Sequence, residues 1–321
     1  MYKVIMAPTE GSDSEKDAIA VAAKLARRFG ADLHLVRVLA APLVSDTVPR
    51  QPVLEITEQA LEEERLARLR KLEALGAELR SSAGTRVITA LEDGRVAPTL
   101  RDYTTKFDVD LIVMSSHSRG GLKRVTLGSV TDYLIRNTHT PVLVVKQPAS
   151  FAAGLEGSVA RIVVPLDGSA LAEQILPEVA ALASGLNATV SLIQVLTPVT
   201  YSQEQIMQPG LPWWDAEIAA ANSYLAKAAG QLTEKGIDVS EDVILSDNVA
   251  TAILDYAARM RADLIAIATS GSGGMARLVF GTVSDEVTRK SPTSLLVLRP
   301  LPEKAVNATA GASNARELAG A

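Results

Sequence analysis

The 321-residue sequence predicts an α/β fold built twice: two tandem domains, each an open five-stranded parallel sheet with helices on both faces. Three observations predict it. The chain repeats itself at long period. VIMAPTEGS at 4–12 matches the segment around IVVPLDGSA at 162–170, with Gly11-Ser12 on Gly168-Ser169 at an offset of 157. DLIVMSSHSRGGLKRVTLGSV at 110–130 matches DLIAIATSGSGGMARLVFGTV at 263–283, and LIRNTHTPVLVVK at 134–146 matches VTRKSPTSLLVLR at 287–299, both at an offset of 153. Second, within each copy short β-branched runs alternate with longer amphipathic stretches. Third, the strand-like runs are continuously apolar, as parallel strands covered on both faces require.

In order, each copy opens on such a run, Val4–Ala7 and Ile162–Pro165, and turns at Gly-Ser. Ala/Leu-rich helices follow, Ser14–Phe29 and Leu171–Ala183. LHLVRVL at 33–39 and TVSLIQVL at 189–196 read as second strands. A longer connection then leads to a charged helix in each copy, and in copy one Glu64 and Arg68 sit at i, i+4 on a solvated face. RVITAL and SEDVILS are third strands, and helices near 96–107 and 249–261 come next. DLIVMSS and DLIAIAT are fourth strands, followed by Gly-rich loops and helices through Thr131–Arg136 and Ser284–Arg289; PVLVV and LLVL close the copies. The domains are therefore set at 1–146 and 160–299. Residues 147–159, rich in Ala, Gly, Ser and Pro, read as a linker, and 300–321 as a tail without the apolar content of a core. Trp213 and Trp214, the only tryptophans, fall in the 198–216 loop, as a hydrophobic plug or as a lid.

Composition excludes several function classes. Lys plus Arg is 32 against 37 Asp plus Glu, a net charge of -5, which argues against a broad nucleic-acid surface. The absence of Cys removes disulfides, iron–sulfur clusters, thiolate zinc and Cys nucleophiles, and the three His (His34, His117, His139) lie far apart. No apolar run reaches signal-peptide or membrane-span length, so a cytoplasmic protein with no membrane partner is expected.

In a parallel sheet of this kind ligands bind beyond the carboxyl ends of the strands. The acidic-Gly-Ser turns and the Gly-rich loops both follow strand ends and should converge on one cleft per domain. In copy two the loop is Thr269-Ser270-Gly271-Ser272-Gly273-Gly274-Met275, with Gly281-Thr282 ten residues after Gly271. Glycines let backbone N–H groups approach an anion, and the helix behind them turns its positive end to the same place. Phosphate is the natural ligand; a plain strand-to-helix turn is the alternative. Asp167 serves equally as a turn cap or as a ligand group. Arg124 and Arg277 match across the repeat and are assigned to the helix surface rather than to a phosphate. Ser116-His117 lacks a third catalytic group. Gly271-x-Gly273-x-x-Ala276 satisfies only the loose dinucleotide fingerprint, after the fourth strand instead of the first, and no P-loop motif is present.

These motifs resemble the universal stress protein family in its tandem form, over about 2–146 and 160–299. The resemblance implies Rossmann-like (adenine nucleotide alpha hydrolase-like) domains with strand order 3-2-1-4-5. It also implies a pseudo-dimer of the two domains through their last strands, Pro141–Val145 and Ser294–Leu298. The family's nucleotide-binding members carry Gly-x-x-Gly, nine residues, then Gly-Ser/Thr. That frame falls on Ser115, Ser118, Gly128 and Ser129 in copy one, and on Ala268, Gly271, Gly281 and Thr282 in copy two. The family's Asp after strand one is Glu10 here, and Asp167 in copy two; its adenine-contacting Val is Val38 or Val195.

The implied ligand is ATP or another adenine nucleotide, with Mg²⁺ as an optional companion. The favoured site is in domain two: Pro165, Leu166, Asp167, Val195, Ala268, Thr269, Gly271, Gly274, Met275, Gly281, Thr282, Val283 and Ser284. Domain one offers a degenerate counterpart in Pro8, Thr9, Glu10, Val38, Ser115, Ser118, Arg119, Gly128, Ser129 and Val130. The expected role is a stress-response or signalling module without catalysis, homodimeric or with unidentified protein partners. The alternative is a nucleotide-independent interaction scaffold.

Overall fold

The computed structural model describes residues 2–40, 58–116, 127–146, 160–198, 213–269 and 281–301. The linker 147–159 and the tail beyond Leu301 lie outside the described residues. The chain divides into two units, Met1–Lys123 with Gly128–Val145, and Arg124–Leu127 with Lys146–Ala321.

The first unit runs β1 (Val4–Pro8), α1 (Lys16–Phe29), β2 (Asp32–Leu39), α2 (Glu58–Ala83), β3 (Val87–Asp93), α3 (Val96–Lys106), β4 (Leu111–Ser115), α4 (Ser129–Asn137) and β5 (Val142–Val145). Its strands are parallel and ordered β3-β2-β1-β4-β5, as the sequence predicts. Burial follows the order: β4, inside the sheet, is buried along nearly its whole length, while β3 at the edge is half-exposed. Helix α1 packs a stripe of Ala18, Ile19, Ala22, Leu25, Ala26 and Phe29 on the sheet, at the i, i+3, i+4 spacing of one helical face. It stops at Gly30, whose φ of 66° is the left-handed cap that glycine adopts without strain.

The second unit repeats the plan with β6 (Arg161–Pro165), α5 (Ala170–Glu173), α6 (Leu176–Leu186), β7 (Thr189–Leu196), α7 (Trp213–Thr233), β8 (Val239–Leu245), α8 (Val249–Arg259), β9 (Leu264–Ala268), α9 (Thr282–Lys290) and β10 (Ser294–Leu298). Its own strand order is β8-β7-β6-β9-β10, again parallel.

Two elements depart from expectation. The single helix read over Leu171–Ala183 is two, because Pro177 lies in the first turn of α6. Proline has no N–H to give the preceding turn and its ring crowds the carbonyl four residues back, so α5 ends at Glu173 and a new helix starts. Trp213 and Trp214 open α7 instead of sitting in a loop.

The repeat extends to the hydrogen bonds that start the sheets. The Asp110 carboxylate accepts the backbone N–H of Lys3 (2.6 Å) and Val4 (2.9 Å), and Asp263 accepts that of Arg161 (2.9 Å). His34, one of the three histidines, is a core residue. Its Nδ1 lies 3.0 Å from the Tyr103 hydroxyl, with the Tyr103 and Phe107 rings edge-on to it. Among the described residues no helix is long and apolar enough to cross a membrane.

Candidate nucleotide site

The two strand-one turns are built alike. Thr9 donates its N–H to Val36 O at 2.8 Å, and Leu166 to Ile193 O at 2.8 Å, so each chain leaves its strand still bonded to the neighbouring one. Gly11 and Gly168 follow with φ of 83° and 84°. That region penalises a Cβ, so the turn demands glycine at both places.

The turns then diverge. In the first unit Glu15 folds back under the loop and is buried. Its carboxylate accepts the Thr9 hydroxyl (2.8 Å) and the N–H groups of Glu10 (3.1 and 2.9 Å), Gly11 (3.2 Å) and Ser12 (3.4 Å). Successive N–H groups form an anion-binding concavity, and here the chain's own carboxylate fills it. The equivalent residue in the second unit is Ala172. There Asp167 makes an Asx turn, its Oδ1 accepting the N–H (3.0 Å) and hydroxyl (2.6 Å) of Ser169. The Ser169 hydroxyl in turn caps α5 through Ala172 N–H at 3.1 Å.

The side chains facing the two glycines also differ. In the first unit it is Arg37, from β2: a Cβ on Gly11 would lie 2.9 Å from its Nη1. In the second it is Gln194, whose Nε2 would be 3.8 Å from a Cβ on Gly168. The buried Gln194 Oε1 finds no hydrogen-bond donor among the described residues. Burial, with Glu173 and Asp167 nearby, raises the Tyr224 phenol above its ordinary value on that side.

The fourth-strand ends match closely. Gly128 donates its N–H to Ser116 O at 2.9 Å, and Gly281 to Thr269 O at 2.8 Å. Each glycine is the residue before a helix, with extended backbone. A Cβ on Gly128 would meet Ser116 O at 3.2 Å, and one on Gly281 would meet Ser284 Oγ at 3.3 Å. Glycine is needed here for closeness, not for φ. The Ser284 hydroxyl ties the helix to the strand by donating to Thr269 O (3.1 Å) and Gly281 O (3.0 Å); Thr131 reaches Ser115 O at 3.4 Å in the first unit. Behind these glycines the first N–H groups of α4 and α9 have no intrahelical acceptor and carry the positive end of the helix.

In the first unit these parts enclose a cavity of about 390 Å³. Of the residues expected there, Pro8, Thr9, Glu10, Val38, Ser115, Gly128 and Val130 line it, and Ser129 opens α4 beside them. Ser118 and Arg119 lie outside the described residues, as do His117 and Arg124. The wall also includes residues the sequence reading did not select: Glu15, Val36, Arg37, Ala40, Arg68, Val96, Leu100, Met114 and Thr131. Burial and the neighbouring Arg68 guanidinium both lower Arg37 from its ordinary value, against a smaller pull upward from Glu15, Glu10 and Glu64.

In the second unit the structure places Pro165, Leu166 and Asp167 at the end of β6, Val195 near the end of β7, and Ala268 and Thr269 at the end of β9. Gly281, Thr282, Val283 and Ser284 begin α9. Gly271, Gly274, Met275 and Arg277 lie outside the described residues. Among the described residues of the chain no cluster of His, Asp and Glu is placed to hold a metal ion.

Comparison with known proteins identifies the family. The model of the universal stress protein family matches twice, at residues 1–146 and 159–299. A universal stress protein of Methanocaldococcus jannaschii is 34% identical over 149 residues, covering 46% of this chain and 84% of its own. One from Mycolicibacterium smegmatis is 25% identical over 292 residues, covering 90% of this chain and 95% of its own. Among solved structures, a universal stress protein of Archaeoglobus fulgidus superposes with a TM-score of 0.65 at 18% identity, covering 92% of this chain and 98% of the other. With the family pattern present in both halves, the chain belongs to the universal stress protein family, in its tandem two-domain form.

Proposed function

We propose that this protein is an adenine-nucleotide-binding stress-response or signalling module, and that the first unit's cavity is a nucleotide pocket. One observation carries the reading. A single space of about 390 Å³ joins an apolar strand end (Val36, Val38), an acidic loop residue (Glu10) and the positive start of α4 at Gly128 and Val130. Its size lies within the range of small-molecule sites. Val36 and Val38 give a base an apolar wall, Glu10 accepts from a ribose hydroxyl, and the α4 N-terminus receives phosphate. Mg²⁺ would arrive with the phosphates. The reading includes no catalysis, since neither a general base nor a nucleophile is assigned. The second unit, with Asp167, Gly281 and Thr282, is the other candidate, so the cavity moves the first test to domain one without removing domain two.

A second reading has its own support. Glu15 already occupies the anion-binding loop of the first unit, and Ser115 and Ala268 carry side chains where the family's binders have glycine. That favours a nucleotide-independent scaffold.

Calorimetric titration of ATP, ADP and AMP, with Mg²⁺, into nucleotide-stripped protein separates these readings. One equivalent lost in Gly128→Val assigns the first unit; one lost in Asp167→Ala assigns the second; two equivalents assign both. No heat with any nucleotide establishes the scaffold.

A further inference from the structure

We propose that Arg37 and Arg68 form an anion subsite in the first unit's cavity, so that this pocket takes an adenine nucleotide phosphorylated on its ribose ring as well as at its 5′ end. The inference rests on the nucleotide reading above and adds a second charge to the ligand.

The argument starts from two guanidinia lining one cavity, Arg37 from β2 and Arg68 from α2. Of the charged groups around Arg37, Arg68 is the one that lowers it most. Like charges brought together in a partly buried place repel, and an anion between them relieves that repulsion. The local carboxylates are largely committed elsewhere. Glu15 accepts the donors of the Thr9–Ser12 loop and Glu64 pairs with Arg68 at i, i+4 on α2, so neither carboxylate hydrogen-bonds Arg37. The Arg37 side chain makes no hydrogen bond among the described residues. Its guanidinium instead packs over Gly11, with Nη1 2.9 Å from where a Cβ would sit, and Arg37 and Glu10 line the same cavity.

Position in the sheet supplies the second part. Strands β2 and β4 flank β1 on opposite sides. Arg37 near the end of β2 and Gly128 beyond the end of β4 are therefore two strand spacings apart, roughly 10 Å. The cavity has a positive pole at each side, with Glu10 between them. A nucleoside with phosphate on both sides of its ribose matches that pattern; its remaining ribose hydroxyl faces the carboxylate. Guanidinium is the group suited to hold phosphate by two parallel bonds. The second unit carries Gln194 at the position of Arg37, so the preference belongs to the first unit alone.

The test is titration of the full chain with AMP, adenosine 3′,5′-bisphosphate and its 2′,5′ isomer, using wild type, Arg37→Gln, Arg37→Lys and Arg68→Gln. Wild type is expected to bind one of the bisphosphates on the order of tenfold more tightly than AMP, as a charge-assisted bond provides. The ratio falls to about one in Arg37→Gln and is partly kept in Arg37→Lys. Should Arg37→Gln fail to fold, Arg68→Gln gives the same readout from a different element. Equal affinities in wild type, or a preference that survives in both glutamine variants, overturn the subsite; AMP binding in those cases leaves the nucleotide reading standing. Absence of binding by all three nucleotides overturns both.

Discussion

Both carboxylate oxygens of Glu15 accept the backbone N–H of Glu10, at 3.1 and 2.9 Å. A glutamate five residues downstream thus supplies the turn with the anion its N–H groups would otherwise seek. Its removal leaves several half-buried donors without a partner. Glu15→Ala is expected to cost about 2–3 kcal/mol, a fall of roughly 5–10 °C in the midpoint of the affected unit. Because the donors persist, inorganic phosphate should stabilise Glu15→Ala more than wild type. Thermal denaturation with and without phosphate checks this, and equal stabilisation of both proteins would refute it.

The two positive-φ glycines make a matched pair of experiments. Gly11→Ala and Gly168→Ala share the same backbone strain, about 1–2 kcal/mol each. They differ in what the methyl group meets: Arg37 Nη1 at 2.9 Å in the first unit, Gln194 Nε2 at 3.8 Å in the second. Arg37 can swing away, so similar stability losses are expected. Only Gly11→Ala should disturb ligand affinity in the first unit, because it displaces the guanidinium. Parallel melting and calorimetry separate the two effects.

The strand-to-helix glycines, by contrast, should differ in stability. A methyl group on Gly128 meets a backbone oxygen, Ser116 O, which is fixed by the strand end. One on Gly281 meets the Ser284 hydroxyl, which can rotate at the loss of its bonds to Thr269 O and Gly281 O. Gly128→Ala is expected to destabilise by about 1–3 kcal/mol, the usual range for overpacking, and Gly281→Ala by less. Chemical denaturation of both variants gives the order directly.

His34 makes the first unit sensitive to acid. Burial lowers its pKa, with Arg86 adding to the effect and Asp32 opposing it. The folded state therefore favours neutral imidazole, while the unfolded chain takes up a proton near the ordinary pKa of about 6.5. Stability from this residue is full above that pH and falls as the pH drops below it, by at most about 1.4 kcal/mol per pH unit. Below the folded-state pKa the loss levels off. His34→Gln, which keeps a polar partner for Tyr103, should flatten the difference in melting temperature between pH 7.5 and 5.5. An unchanged slope in that variant would remove His34 as the cause.

The fold was legible because its signals are local and repeated. Apolar runs such as LIVM in β4 and LIAIA in β9 announce doubly covered strands, and the Gly11 and Gly168 turns mark where each first strand ends. The site was legible only in part. Glu10, Val38 and Gly128 sit in motifs and line the cavity, but Arg37 reads as one more strand residue until β1, β2 and α2 are assembled around it. Arg68 was assigned to the solvated face because its i, i+4 pairing with Glu64 is real; the same side chain also reaches the cavity. Glu15 did leave a trace in Ser12-x-x-Glu15, the spacing of a capping box. The break at Pro177 was likewise written in the sequence, and the strength of the flanking Ala/Leu pattern hid it.

The Gln174 side chain holds the backbone of Leu301. Its Oε1 accepts the N–H of Leu301 and its Nε2 donates to the carbonyl of the same residue, both at 2.8 Å. An amide that bonds one residue's backbone at both groups acts as a substitute for a neighbouring strand. The last two described residues are thereby held after the sheet is complete. A shortened chain or a fused reporter should accordingly be joined after Leu301. A junction at Arg299, where the internal repeat stops, would strip Gln174 of both partners and leave the junction of α5 and α6 without its buckle.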